Sequence, residues 1–456
     1  MGRLGGSSVD TTGQMASSST RRCVITKICV RDLAKPRSFH VDEDKTTLVS
    51  DVNSILDDDS IDIGTYHSPH ISDFATYSSM CFTCYLIVHR LFISPFHITI
   101  VVEVMGGTSL ARTVVLEALK RGKSVVTANK ALIAEHLDEI HTAVEQSGGN
   151  GVKFGYEAAV AGGIPIISTL QHCFAGDIIN EIGGIINGTT NYMLGKMEDG
   201  ADYDEVLKEA QELGFAEADP TADVEGHDVR AKIAILAKLA FGTTVDVEEI
   251  PCNGISQISS VDFEYAKLLN CTIKLIGTAA RLSQYGERDG DLSVYVAPKM
   301  IPTDHIMAAA TGCGNAITVD SVNLGTSSYF GPGAGRFPTA NSVVADICRV
   351  ASDNCPADPF PLRSTIAIDN DYTSAFYIRI PFIDGLGIVR KVGELAESHG
   401  VSVNSILQNA ISDRMMADCV VTTEECKLSQ VQALCAELEK EDFARAPPLC
   451  MPLVTN

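Results

Sequence analysis

No run of eighteen apolar residues occurs in this chain, so no transmembrane helix is expected. The nearest approach, residues 80–100, is broken by His89, Arg90, Ser94, Pro95 and His97. Positive charge is scarce: 35 Lys and Arg stand against 58 Asp and Glu, a net charge of −23. Nucleic acid and anionic membrane surfaces need basic patches, so neither is expected as a partner. A secretory signal is also missing, because the start (MGRLGGSSVDTTGQMASSSTRR) is rich in Gly, Ser and Thr and has no apolar h-region. The fourteen Cys are scattered, and 456 residues with 45% apolar content can build cores without a disulfide framework. A reducing compartment is the simpler reading, cytoplasm or plastid, with the cytoplasm preferred.

One further absence bears on chemistry. A dinucleotide-binding sheet normally opens with a strand and G-x-G-x-x-G, whose glycines let the backbone approach a pyrophosphate. Gly2, Gly5 and Gly6 have the wrong spacing, and no apolar strand precedes them. A first strand and its Gly-rich loop are therefore expected to be missing from residues 1–22.

Residues 23–133 alternate strand and helix signals. CVITKICV (23–30), VVEVMGG (101–107) and KSVVTANK (123–130) read as strands, and SDVNSILDD (50–58) and TSLARTVVLEALKRG (108–122) as helices. That βαβ series predicts a parallel sheet with right-handed crossovers. Ligands bind such sheets at the carboxyl ends of the strands, where Gly106, Gly107, Thr127, Asn129 and Lys130 stand. The expected organisation is a nucleotide-binding domain over 23–155, a middle domain over 156–330, a return to the first domain over 331–365, and a separate unit over 372–456. The return opens with GPGAGRFPTANSVVADI, a Gly-rich turn leading into a helix, where backbone N–H groups can meet an anion. The last unit reads β-α-β-β-α-β, the ferredoxin-like split pattern.

Residues 64–100 interrupt the first domain. These 37 residues hold four of the eleven His (67, 70, 89 and 97) and four Phe, but only two charged side chains, Asp73 and Arg90. So long a segment inside a compact sheet is suspicious. Removing it joins IDI to VVEVMGG as one buried strand of ordinary length. The segment begins Gly-Thr, and we expect a translated retained intron or gene-model insert. His67-x-x-His70 and Cys81-x-x-Cys84 fit zinc spacing only loosely, and no zinc site is expected there.

The stretch GFAEADPTADVEGHDVRAKIAILAKLA (214–240) carries the densest chemistry. Glu217, Asp219, Asp223, Glu225, Asp228 and Lys232 fall within sixteen residues and lead into an apolar helix. Asp228 and Lys232 are four apart and share one helix face. A surface ion pair is the bland reading and is worth little. A carboxylate cluster beside one Lys at a loop–helix junction instead suits a small zwitterionic substrate, with acids to hold an ammonium and the Lys to supply a proton.

VVEVMGGTSLA, VVTANKALIAEH, YEAAVAGGIPII, GIINGTTNYML, the 214–240 stretch and GPGAGRFPTA together resemble the homoserine dehydrogenase family, over roughly 101–347. ITKICVRDLAKPR (24–37) fits the second strand of that family's cofactor domain. The resemblance implies an α/β fold: a Rossmann-like parallel-sheet cofactor domain, an α+β substrate and dimerisation domain, and a C-terminal ferredoxin-like ACT domain. It implies NAD(P)-dependent interconversion of L-aspartate 4-semialdehyde and L-homoserine. Lys232 would be the proton donor, and Glu217 and Asp228 would bind substrate. Gly107, Thr108, Lys130 and Gly333 would contact the cofactor, with Arg31 meeting a 2′-phosphate if NADP is used. Glu157, Val160, Gly162 and Ile164 would hold a monovalent cation such as Na⁺. A homodimer or higher homo-oligomer and an amino-acid effector such as threonine at the ACT domain complete the expectation, although Leu386 stands where that domain's turn usually has Pro. The missing glycine loop leaves a second reading, a chain of the same family without a complete cofactor site.

Overall fold

The computed structural model describes residues 23–30, 47–57, 85–93, 96–147, 151–282, 291–356, 358–360, 366–411 and 413–454. Arg31, residues 1–22, the His67/His70 pair and the Cys81/Cys84 pair lie outside them. The chain divides into two compact units, Met1–Ala175 with Ala334–Leu362, and Gly176–Gly333 with Arg363–Asn456. The YEAAVAGGIP loop thus belongs to the first unit, although the sequence pattern puts the boundary near 155.

The first unit is built on strands β1 (Cys23–Val30), β2 (Thr47–Val49), β3 (Tyr85–Ile93), β4 (Phe96–Glu103), β5 (Ser124–Thr127) and β6 (Phe154–Gly155). Their order is β2-β1-β3-β4-β5-β6. β1 with β2, β4 with β5 and β5 with β6 pair in parallel, as the βαβ pattern predicts. β3 is the correction, because it pairs antiparallel with both β1 and β4. The sheet is therefore mixed. The cause is local: β3 and the first half of β4 come from residues 64–100, and a two-residue connection can join only antiparallel neighbours. β1 and β4, each antiparallel to β3, run parallel to one another.

Helices Ser109–Lys120 and Lys130–Ser147 cross back between the later strands of this sheet. The first buries Val114, Val115, Ala118 and Leu119 at helical spacing. Helix Arg336–Ala351 sets Val343, Ile347 and Val350 against Ile100, Val102 and Val126 of the sheet. Each such side chain contributes about 1.5–3 kcal/mol when fully buried, which accounts for a segment so far downstream returning to this sheet.

The second unit is built on β7 (Ile179–Ile185), β8 (Cys271–Arg281), β9 (Leu292–Pro302), β10 (Gly314–Ser321), β11 (Gly325–Pro332), β12 (Thr373–Phe382), β13 (Val403–Gln408), β14 (Ala417–Thr423), β15 (Cys426–Lys427) and β16 (Leu449–Leu453). The main path runs β11-β10-β7-β8-β9-β16-β12-β14-β13. The terminal strands and helices Ile388–Ser398 and Leu428–Leu438 follow the expected β-α-β-β-α-β order, with the short β15 added beside β12. They do not stand apart. β16 pairs in parallel with β9, so their sheet continues that of 179–332. Among the described residues, no helix is long and apolar enough to cross a membrane.

Candidate active site

Helix His227–Phe241 carries Asp228 and Lys232 in the second unit. It begins at Gly226, whose φ of 81° is the left-handed conformation that favours glycine. A side chain there would also press on Cys252 and Val296. The run Ile233, Ile235, Leu236 and Leu239 is buried, so the helix is held on several faces and presents its first two turns as a fixed platform.

Lys232 and Asp228 are both buried, which removes the bland reading of a solvated surface pair. Lys232 Nζ donates to Asp228 Oδ2 at 2.6 Å and to the Ile186 carbonyl at 2.6 Å. The same Asp228 oxygen accepts from Asn187 Nδ2 at 2.9 Å, and that nitrogen also donates to Asp223 Oδ1 at 2.7 Å. Asn187 Oδ1 in turn accepts from the Thr190 amide and caps helix Gly188–Glu198. One asparagine thus ties the helix start to two carboxylates. Sequence reasoning did not single out Asn187. Its signal was the N-cap pattern Asn187-x-x-Thr190 after an apolar strand, which announces a helix start but no partner 41 residues away.

Glu217 is not brought to this cluster. It is exposed, and among the described residues no side-chain hydrogen bond or ion pair joins it to Lys232 or Asp228. Its carbonyl accepts from Gln211 Nε2 at 3.1 Å, which anchors the loop that carries it.

In the first unit the strand ends form a second constellation. Glu103, fully buried at the end of β4, accepts from the Thr127 hydroxyl at 2.6 Å and from the Met105 amide at 2.7 Å. Burial pushes its carboxyl up, against the pull of these bonds. Thr127 Oγ1 accepts from the Asn129 amide, and Asn129 Nδ2 donates to the Gly107 carbonyl at 2.7 Å. The network fixes the turn in which Gly106 and Gly107 have φ of 72° and 71°. Nothing lies within 4 Å of where a side chain would begin on either glycine. Thr108 makes no side-chain cap of the adjoining helix, and Lys130 starts the helix after β5, half-buried. Open backbone above a helix start can take an anionic or ring-bearing ligand, so these residues fit part of a dinucleotide.

Gly333, at the end of β11, has a steric reason to be glycine: a Cβ would stand 1.9 Å from Asn315 Nδ2. Asn315 is buried beside it, and its Oδ1 has no hydrogen-bond partner among the described residues.

The YEAAVAGGIP loop is also buried. The Glu157 carboxylate accepts from the Ile167 and Ser168 amides at 2.9 and 3.0 Å, capping helix Ile166–His172. Arg349 Nη2 binds it at 2.8 Å and also bonds Asp346, which accepts from the Glu157 amide. Three hydrogen bonds thus fall on the Glu157 carboxylate, two of them on Oε2 and one on Oε1. The Gly162 carbonyl accepts from Ser342 Oγ at 2.5 Å and the Ile164 carbonyl from the Ile166 amide at 2.8 Å. Each keeps a second lone pair. Among the described residues, no group of three or more His, Cys, Asp or Glu side chains could hold a metal.

Residues 165–348 match the family model for homoserine dehydrogenase, and residues 79–154 match that for homoserine dehydrogenase, NAD binding domain. A homoserine dehydrogenase of Synechocystis is 41% identical over 364 residues, covering 77% of this chain and 82% of its own. That of Bacillus subtilis is 36% identical over 428 residues, covering 91% and 87%. A solved homoserine dehydrogenase from Thiobacillus denitrificans superposes with a TM-score of 0.71 at 36% identity, over 78% of this chain and 82% of that one. The Staphylococcus aureus enzyme superposes at 0.67 and 28% identity, over 95% and 90%.

Proposed function

The chain belongs to the homoserine dehydrogenase family, and on that premise we propose that the buried Lys232–Asp228 pair is its reaction centre. The reaction is the reversible reduction of L-aspartate 4-semialdehyde to L-homoserine, an NAD(P)-dependent oxidation–reduction at CH–OH that serves threonine, methionine and isoleucine biosynthesis. When bound, the nicotinamide supplies or accepts the hydride. The protein's part is orientation and one proton. Lys232 protonates the aldehyde oxygen as the carbonyl carbon is reduced, and takes the hydroxyl proton in the reverse direction. Asp228 and the Ile186 carbonyl hold the ammonium in one place, so little reorganisation accompanies the transfer. Asp228 and Glu217 bind the substrate ammonium, with Glu217 arriving from its exposed loop. The observation that carries this reading is a buried Lys–carboxylate pair shared by one asparagine. The test is turnover of L-homoserine with NAD or NADP; no turnover by a folded chain that binds the cofactor overturns it.

Asn187 is the positioning residue in this scheme. Asn187→Ala removes a hydrogen bond to a charged group, worth about 1.5–3 kcal/mol. Turnover should fall on the order of 10–100-fold, and Asn187→Asp should not restore it, because a third carboxylate would face Asp223 and Asp228. Steady-state kinetics of both variants check this, and an unchanged kcat in Asn187→Ala would remove Asn187 from the scheme.

Gly107, Thr108, Lys130 and Gly333 belong to the cofactor site in this reading, and Arg31 would select NADP. Glu157 and the carbonyls of Val160, Gly162 and Ile164 would hold a monovalent cation such as Na⁺. The terminal β-α-β-β-α-β unit reads as an ACT domain sensing an amino acid such as threonine, with Leu386 fully exposed at its first turn. A homodimer or higher homo-oligomer is implied by the same resemblance.

The insert reading of 64–100 has a structural test. β1 and β4 are parallel once β3 is removed, so deletion of 64–100 should let IDI enter β4 and pair directly with β1. The shortened chain is expected to fold and to bind NADPH more tightly in a fluorescence titration. A deletion that unfolds the chain, or mature transcripts that all encode the segment, would end this reading.

A further inference from the structure

Antiparallel strands β8 and β9 set Lys274 directly opposite Lys299, and both are buried. Opposed residues lie on one face, and like charges in that position destabilise a sheet. Lys299 resolves its share with neutral partners: Nζ donates to Thr278 Oγ1 at 2.7 Å and to the Tyr295 hydroxyl at 3.0 Å. Burial lowers its ammonium to about 8. Lys274 is also held by neutral partners, but it opens on a cleft. Nζ donates to Asn191 Oδ1 at 3.1 Å and to the Ala310 carbonyl at 3.2 Å, and among the described residues no carboxylate forms an ion pair with it. A buried ammonium is expensive unless an anion answers it. Two of its three N–H donors are used, which leaves one for such an anion.

Lys274 lines a cleft of about 390 Å³ in the second unit, within the size range of small-molecule sites. One wall is the last two turns of helix Gly188–Glu198, which contribute Tyr192, Glu198 and then Asp199. The C-terminus of a helix is its negative end. Glu198 Oε2 is held by the Thr272 hydroxyl at 2.9 Å, beside the cleft. Lys196 does not neutralise these acids, since its ammonium pairs with Glu209 at 3.2 Å. The cleft thus offers a buried ammonium with a donor to spare, whose pKa burial lowers and only the Glu198 charge raises, and two carboxylates at a negative helix end.

We propose that this cleft binds a small zwitterion, an α-amino acid, with its carboxylate on Lys274 and its ammonium between Glu198 and Asp199. It is distinct from the Lys232 centre, although helix Gly188–Glu198 touches both: Asn191, which holds Lys274, stands one turn from Asn187, which holds Asp228.

Calorimetric titration of the full chain with the proteinogenic L-amino acids, sodium acetate and methylammonium tests this. At least one amino acid should bind. Lys274→Met should weaken it tenfold or more, and so should Glu198→Gln combined with Asp199→Asn. Asp228→Asn, which removes a substrate-holding carboxylate of the Lys232 centre, should leave it unchanged. Both acidic positions are exposed, so the double variant carries the test if Lys274→Met fails to fold. The proposal is overturned if no amino acid binds, if binding ignores both sets of substitutions, if it is lost in Asp228→Asn, or if acetate alone binds equally well.

Discussion

Lys232→Ala should lower turnover by about 10²–10⁴-fold, the usual contribution of a positioned general acid, while KM for the amino-acid substrate changes only a few-fold. The split comes from what the side chain does. In the proposed scheme substrate ammonium is held by carboxylates, which the substitution leaves in place, whereas the proton for the carbonyl oxygen comes only from Nζ. An interaction made in the transition state alone is lost from kcat and kcat/KM together. Lys232→Arg is the informative companion. A guanidinium keeps the positive charge but does not release a proton near neutrality, so Arg should restore stability without restoring rate. Stability matters because Lys232→Ala leaves the Asp228 carboxylate, 7% exposed, with one cationic neighbour fewer. Thermal denaturation of both variants separates a weakened fold from a missing acid. Near-normal kcat in a folded Lys232→Ala chain would refute the assignment.

Lys232 and Asp228 were legible in the sequence because helical spacing is a local property: four residues apart on an apolar helix fixes a shared face before any tertiary contact is known. The strand ends at Gly106–Gly107 and Thr127–Lys130 were legible for the same reason, and so were the terminal β-α-β-β-α-β elements. What escaped depends on long-range pairing. Asn187 reaches Asp228 from the end of another strand, and Arg349 reaches Glu157 across 192 positions. Neither separation leaves a periodic trace. Glu217 lies near these residues in sequence, but Pro220 and the short helix Thr221–Val224 intervene, and the loop that carries it is exposed. β3 escaped because its apolar stretch has no pattern beyond the capacity to pair, and an antiparallel hairpin is the cheapest pairing open to it. The continuation of the sheet through β16 escaped because a ferredoxin-like order is the same whether or not its edge strand finds a neighbour.

Arg379→Met should cost about 3–5 kcal/mol, the penalty for leaving one member of a buried pair without its partner. Its partner Asp262 is fully buried on helix Ser260–Leu268. Oδ1 of Asp262 accepts from Arg379 Nε at 2.8 Å and from the Tyr377 hydroxyl at 2.9 Å, both on β12. Oδ2 accepts from the Ser259 amide at 2.9 Å, so the same carboxylate also closes the capping box of its helix. Methionine keeps most of the apolar stem and removes only the charge and its donors. For a unit of this size, 1 kcal/mol moves Tm by about 2–4 °C, so a drop on the order of 10 °C is expected. Asp262→Asn should be milder, because the amide oxygen can still take the capping or tyrosine hydrogen bond and the Arg379 guanidinium keeps Asp418 at 3.7 Å. The double variant should be less unstable than the sum of the two, since it leaves neither charge alone, and the cycle gives the coupling directly. Because β12 belongs to the terminal strands and helix Ser260–Leu268 packs on β8, this pair is a polar tie between the two halves of the second unit. Its loss should therefore lower Tm while kcat at temperatures well below the transition stays within a few-fold of normal, as no atom of the pair touches the Lys232 cluster. A Tm change under about 2 °C in Arg379→Met would mean that water answers Asp262 as well as the guanidinium does, and the pair would then be no tie at all.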